Sequence, residues 1–264
     1  MSSALRPSAH RFFAPTLDPG DETVTLSKGE SEHLSRVLRL GVGEIVTVFD
    51  GRGSEFAARV LEASGRLVRV QVLTRVEPAR EAAVSITLGQ AVLKGDMMDD
   101  VVRDAVMLGV SAVQPLITKR TEVTVANLVR GSRVERWRRV ALASTKQSRR
   151  AVLPEIRIPL TIDTYLDEPR SALALMLVEP KAGAMPETFA TLRTVSPPPE
   201  VLVMIGPEGG WAETEWAAAK QRGVRLLTLG ERTLRADAVP VAALSVLYFL
   251  WELARRSDET QPSA

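Results

Sequence analysis

The chain reads as an α/β protein in which a small β domain precedes a mostly parallel sheet, and three features carry that reading. Short alternating or fully apolar runs crowd residues 11–73. From residue 84 the rhythm changes to strand, helix, strand, the alternation that builds a parallel sheet with helices on both faces. Between them, TRVEPAREA (74–82) is polar and holds a proline, as a linker does. The expected domains are 1–76 and 77–258, with residues 1–9 unstructured and 259–264 a disordered tail.

In the first domain ETVTL (22–26), EIVTVF (44–49), SEFAARV (54–60) and RLVRVQVL (66–73) fit strands. Asp50-Gly51-Arg52-Gly53 is a hairpin signal. One helix, near Glu30 to Leu38, has Ser27 or Ser31 as its cap. These elements make a barrel-like β domain of roughly 65 residues, about the size at which a core can hold itself. Arg11, Arg36, Arg39 and Arg52 are candidates to face phosphate, a solvated polar face being the alternative for each.

In the second domain the strands are VSITLGQA (84–91), SAVQPL (111–116), ALALMLVE (172–179), VLVMI (201–205) and VRLLTL (224–229). Helices fit Asp96–Leu108, with Asp96 as cap, Arg133–Ser148, Glu213–Gln221 and Ala238–Arg255. The last carries VAALSVLYFLW (241–251), shorter than the ~20 apolar residues of a membrane span. A terminal helix apolar all round suits burial or a subunit interface, and a homodimer is expected.

Composition narrows the chemistry. There is no cysteine, so thiolate metal sites and cysteine nucleophiles are excluded, and two histidines (His10, His33) leave little room for a histidine-bound metal. No metal is expected. MSSALRPSAHRFF lacks an apolar signal core, so a cytoplasmic protein is expected, with no membrane partner.

Three local patterns point to ligands. The buried run 201–205 breaks at Gly206-Pro207-Glu208-Gly209-Gly210, where main-chain N–H groups can approach a ligand. That turn has no Walker lysine and no GxGxxG spacing, and the run 224–229 delivers a second loop, 230–237, to the same sheet edge. From Arg130 to Arg150 eight basic residues face one acid, Glu135. Arg136, Arg139, Lys146 and Arg150 fall along one helical stripe, while Val134, Trp137, Ala141 and Ser144 can pack inward. Pairing within the helix cannot neutralise that stripe, so phosphate binding is the better account. Lys94-Gly95-Asp96, with Arg103 further along, ends the first strand of this domain.

Taken together these residues resemble the RsmE family of ribosomal RNA methyltransferases. The resemblance covers nearly the whole chain: Arg11-Phe12-Phe13, His33-Leu34 to Arg39, Lys94-Gly95-Asp96, Gln147-Ser148 with Arg150 and Pro154, Ile205 to Gly210, and Leu229-Gly230 to Leu234-Arg235. It implies a PUA-like β domain joined to a SPOUT domain, a parallel α/β sheet with a C-terminal trefoil knot. It implies S-adenosyl-L-methionine as donor and N3 of one uridine in 16S ribosomal RNA of the small subunit as acceptor. The implied cofactor contacts are Leu177, Glu179, Ile205, Gly206, Pro207, Gly210, Leu229, Gly230, Leu234, Arg235 and Ala236. The implied RNA contacts are Arg11, Arg36, Arg39, Lys94, Arg136, Arg139, Lys146, Gln147 and Arg150. Arg103 matches an arginine used in related enzymes and is the candidate cation for the uracil carbonyls; an ordinary surface arginine is its alternative. Glu179, Glu208 and Asp237 stay open as general base. The chain departs from the family pattern at Lys146, at Asp104 to Gly109, at Ala212 and at Ala236-Asp237-Ala238. Two other functions fit the same residues: a non-enzymatic RNA-binding or ribosome-assembly factor, and a SPOUT methyltransferase acting on another RNA.

Overall fold

The computed structural model describes residues 10–64, 66–169, 172–180 and 185–259, with side chains as far as Trp251. The expected disorder of 1–9, and of the tail 259–264 from residue 260 on, lies outside the described residues, whereas Glu259 is the last residue of the final helix rather than tail. The chain divides into two compact units, Met1–Glu81 with Thr145–Leu153, and Ala82–Ser144 with Pro154–Ala264. The first unit thus runs past the expected boundary at residue 76 and takes in a second segment, Thr145–Leu153.

The first unit holds β1 (Arg11–Phe13), β2 (Thr23–Thr25), α1 (Lys28–Glu32) running into a π-helical turn (His33–Val37), β3 (Ile45–Phe49), β4 (Glu55–Ala63) and β5 (Val68–Arg75). Its sheet order is β1-β3-β4-β5-β2, antiparallel except for the β1–β3 pair. Register shifts in β4 at Phe56/Ala58 and Val60/Glu62 mark bulges, which bend a strand and raise its twist. The sheet can thus curl around one core of Phe12, Leu17, Val24, Leu34, Val46, Val48, Val60 and Val70. Ser27 Oγ caps α1 by accepting from Glu30 N (3.4 Å). Ser31 instead ties α1 to the sheet, donating to Leu26 O and accepting from Val68 N. At the hairpin, Asp50 Oδ1 accepts from the N–H groups of Arg52 (2.7 Å) and Ser54 (3.0 Å).

Arg11 explains why 145–153 joins this unit. Its five N–H donors go to Glu55 Oε1 (2.9 Å), Glu55 Oε2 (2.8 Å) and the carbonyls of Thr145 (3.1 Å), Lys146 (2.9 Å) and Arg150 (2.8 Å). The guanidinium also lies over the Phe49 ring at 4.7 Å. An arginine expected at phosphate is therefore a buried structural clamp, its charge already spent on Glu55. Arg52 stays exposed but is also engaged within the unit, donating to the carbonyls of Pro15 and Leu17 and pairing with Asp18.

The second unit contains β6 (Ser85–Ala91), α2 (Met97–Leu108), β7 (Ala112–Ile117), α3 (Val125–Arg130), most of α4 (Arg133–Gln147), β8 (Glu155–Ile156), β9 (Leu160–Thr161), α5 (Ile162–Asp167), β10 (Leu173–Leu177), β11 (Glu187–Thr188) followed by a 3₁₀ turn (Phe189–Thr194), β12 (Glu200–Ile205), α6 (Glu213–Gln221), β13 (Arg225–Thr228) and α7 (Ala238–Glu259). Every strand pair is parallel, in the order β11-β13-β10-β12-β6-β7-β8 with β9 beside β7. Leu177 is level with both Ile205 and Leu227, and Ile205 with Gln90, so β10, β12, β13 and β6 end at one edge. That alignment brings loops far apart in sequence to one place. The apolar central strands are buried on both faces, as helices on each side of a parallel sheet require.

Two helix expectations change. Asp96 makes no capping bond at the start of α2; its carboxylate pairs with Arg136 at 3.0 Å. In α7, Ala243, Leu244, Leu247 and Trp251 are buried and the helix packs on α2, whereas Phe249 is 63% exposed. Among the described residues no helix is long and apolar enough to cross a membrane.

Candidate functional site

At the shared carboxyl edge of β10, β12 and β13, three loops enclose a cavity of about 270 Å³. Ten of the eleven residues expected to touch a cofactor line it: Leu177, Glu179, Ile205, Gly206, Pro207, Gly210, Leu229, Leu234, Arg235 and Ala236. The eleventh, Gly230, does not; its carbonyl accepts from Thr228 Oγ1 (3.1 Å) and it shapes the turn behind the wall. Arg232 and Thr233, within the expected loop 230–237, also line the cavity, whereas Met97, Trp211 and Thr228 line it and were not foreseen. Met97 lies about eighty residues before the nearest of the three loops, and only the β6–β12 pairing places it there.

The wall keeps its shape through contacts that demand small residues. Trp211 Nε1 donates to Leu177 O at 2.8 Å, locking the β12 loop to the end of β10. A Cβ on Gly206 would lie 3.2 Å from that indole. Gly210 has a left-handed backbone (φ +68°), and a Cβ there would come within 2.8 Å of Glu179 Oε1. Glu208 Oε1 accepts from the Lys94 N–H at 2.9 Å, so this carboxylate bonds main chain across to the loop after β6. At the start of α6, Ala212 offers no side-chain cap, and buried Glu215 compensates by accepting from Ala212 N (2.7 Å) and Lys119 N (2.7 Å). The resulting cavity has leucine and isoleucine walls, main-chain edges and three carboxylates, Glu179, Glu208 and Asp237. Asp237 pairs with Arg235 (2.8 Å), whereas Glu179 has no cationic partner among the described residues.

Arg103 does not line this cavity. Its guanidinium is held on the exposed side of α2 by Asp100 (2.7 Å) and Asp104 (2.7 Å), and the hydrogen bond to Asp104 raises its pKa further. Within this chain it therefore makes no contact that could serve the reacting group, and the cavity gives its expected catalytic role no support.

The expected phosphate contacts are mostly paired. Lys146 is held by both oxygens of Glu30, and Arg150 by Glu81 (3.0 Å). Arg136 meets Asp96 (3.0 Å) and Asp99, and Lys94 meets Glu122 (2.6 Å), which raises the lysine pKa through a hydrogen bond and its charge. Arg36 reaches Glu32 only at 4.0 Å. The neutralising acids stand on other elements, so inspection of the basic helix alone could not find them. The stripe is also shorter than expected: α4 ends at Gln147, Arg149 adopts a left-handed backbone (φ 61°), and Arg150 turns inward. Arg39 and Arg139 remain exposed with no carboxylate within 4 Å among the described residues, and Gln147 is exposed. Val134, Trp137, Ala141 and Ser144 are buried as their spacing predicts.

Comparison with known proteins agrees with this geometry. Residues 80–248 match the family model described as an RNA methyltransferase domain, and residues 26–73 match one described as an RNA methyltransferase PUA domain. The chain is 32% identical to ribosomal RNA small subunit methyltransferase E of Synechocystis over 251 residues, covering 95% of this chain and 81% of that protein. It is 30% identical to the Mycobacterium bovis protein of the same name, covering 94% and 95%. Among solved structures, the methyltransferase E of Neisseria gonorrhoeae bound to S-adenosyl methionine superposes with a TM-score of 0.81 at 31% identity, covering 92% of this chain and 98% of that one. A methyltransferase of Legionella pneumophila in complex with the same cofactor gives 0.81 at 32% identity, covering 90% and 96%.

Proposed function

The chain belongs to the RNA methyltransferase family whose curated members are called ribosomal RNA small subunit methyltransferase E, and on that footing we propose a donor, an acceptor and an assembly for it. It is an S-adenosyl-L-methionine-dependent ribosomal RNA methyltransferase. The observation that carries the donor is the cavity itself. At about 270 Å³ it lies just below the ~300–1,000 Å³ typical of small-molecule sites. Its walls fit the cofactor's chemistry: Leu177, Ile205, Leu229 and Leu234 offer an apolar slot for a purine, and main chain at 205–210 offers hydrogen-bonding edges. Bound there, the cofactor supplies an activated methyl group. Gly206 and Gly210 let main chain approach it, Trp211 fixes the wall, and Glu179, with no cationic partner among the described residues, suits its cationic end.

The acceptor is N3 of one uridine in 16S ribosomal RNA. Of the expected RNA contacts, Arg39 in the first unit and Arg139 on α4 are the exposed cations with no carboxylate within 4 Å among the described residues, and both are available to meet phosphate. The three loops are threaded as a trefoil knot, and the protein works in the cytoplasm as a homodimer. The knot reading is supported by the convergence of chain segments 177–180, 205–211 and 228–239 on one cavity, and the dimer by Phe249, a large apolar side chain 63% exposed on the final helix.

Mass mapping of nucleosides from small subunits incubated with protein and labelled S-adenosyl-L-methionine tests the acceptor. One 3-methyluridine is expected in 16S ribosomal RNA. Label in transfer RNA or on ribose would overturn the proposed acceptor.

A further inference from the structure

The loop after β7, residues 118–122 (TKRTE), has no role so far, yet it is tied repeatedly to the cavity wall. Besides the Lys119 N–H bond to Glu215, Lys119 Nζ donates to Thr214 Oγ1 at 2.8 Å. Glu122 pairs with Lys94, whose N–H is held by Glu208. Arg120 Nη1 donates to the carbonyl of Gly209. Gly209 is the one residue of the 206–210 turn that does not line the cavity.

Packing around the turn is correspondingly tight. A Cβ on Gly209 would lie 3.3 Å from Arg120 Cδ and 3.4 Å from Arg120 Cβ. A Cβ on Gly210 would lie 2.8 Å from Glu179 Oε1 and 3.8 Å from Arg120 Nη1. Arg120 thus backs the turn from outside while Glu179 borders it from the cavity. The arginine has no carboxylate within 4 Å among the described residues, so its charge is directed at the Gly209 carbonyl rather than neutralised by an acid.

We propose that Arg120 is a positioning residue for S-adenosyl-L-methionine, its guanidinium holding the Gly209 carbonyl outward so that the rest of the turn keeps the shape of a cofactor wall. This rests on the donor assigned above. A charge-assisted bond to main chain rigidifies a turn that five residues, three of them glycine, would otherwise leave loose. It acts through the backbone, and the side chain itself does not enter the cavity.

Calorimetric titration with S-adenosyl-L-methionine tests it on the full chain. Arg120→Ala is expected to weaken binding about tenfold. Because Arg120 is exposed, the thermal midpoint should stay within about 2 °C of the parent's. Affinity for 16S ribosomal RNA without cofactor should be unchanged. Gly209→Ala, which crowds Arg120, should weaken binding in the parent and cost nothing further in Arg120→Ala, since the crowded Cδ is gone. Unchanged cofactor affinity in Arg120→Ala would overturn the proposal. So would a loss of RNA affinity in its place, a loss of binding that merely tracks a fall in thermal midpoint, or additive effects of the two substitutions. If the parent protein bound no S-adenosyl-L-methionine, the donor assignment itself would fall, a result separate from any of these.

Discussion

Arg11→Ala separates a structural arginine from an RNA contact more sharply than any other change in the chain. Arg11 and Glu55 have side-chain exposures of 6% and 5%, and all five guanidinium donors are used. Removing the guanidinium leaves Glu55 buried without its cation and strips the carbonyls of Thr145, Lys146 and Arg150 of this donor. Breaking a buried pair from one side costs about 3–5 kcal/mol. A domain's whole stability is about 5–15 kcal/mol, so the first unit should lose about a fifth or more of its margin. Arg11→Lys keeps the charge but offers three donors to five acceptor contacts, and it should recover less than half of the loss. Arg11→Met with Glu55→Leu, which removes both charges, should recover most of it. The assay is urea denaturation followed by two probes. All four tryptophans (137, 211, 216 and 251) fall in the second unit, so fluorescence reports that unit, while far-UV circular dichroism reports both. In Arg11→Ala the dichroism transition should move to lower urea and separate from the fluorescence transition. Stability within about 1 kcal/mol of the parent, combined with weakened RNA binding, would refute the clamp and return Arg11 to the RNA interface.

Gly210→Ala forces a side chain into a left-handed backbone, costing about 1–2 kcal/mol, and drives its Cβ against Glu179. Calorimetry should show at least a tenfold loss of S-adenosyl-L-methionine affinity. Arg139→Glu should weaken RNA binding and flatten the log–log salt dependence by about 0.7–0.9 at an unchanged thermal midpoint. Arg150→Glu should instead lower the midpoint, because it sets two acids against each other at Glu81. Phe249→Arg should convert a dimer to a monomer in sedimentation equilibrium, and a parent protein that sediments as a monomer would remove the proposed interface.

The helices and strands that position the cavity were legible because their signals are local. Apolar runs at 201–205 and 224–229 became β12 and β13, and the spacing of Val134, Trp137, Ala141 and Ser144 predicted the buried face of α4. The cavity residues were legible for another reason: they sit in motifs, GPEGG and LGERTLR, whose resemblance to a family carried their role. Short elements escaped, among them α3, α5, β8, β9 and β11, since two to six residues hold too little periodicity to read.

By itself, then, the sequence determined the order of layers, the parallel sheet, the edge where a ligand site forms and the residue types that line it. Only the tertiary structure decided which charges are free. Arg11, Lys146, Arg150, Arg136 and Lys94 look alike in a linear reading, but Glu55, Glu30, Glu81, Asp96, Asp99 and Glu122 reach them from other elements. Arg120 shows the converse, an unremarked loop residue placed behind the GPEGG turn. The physical reason is the range of the forces involved. Backbone preference and hydrophobic periodicity act within a few residues along the chain, whereas an ion pair depends on distance in space, which folding alone sets.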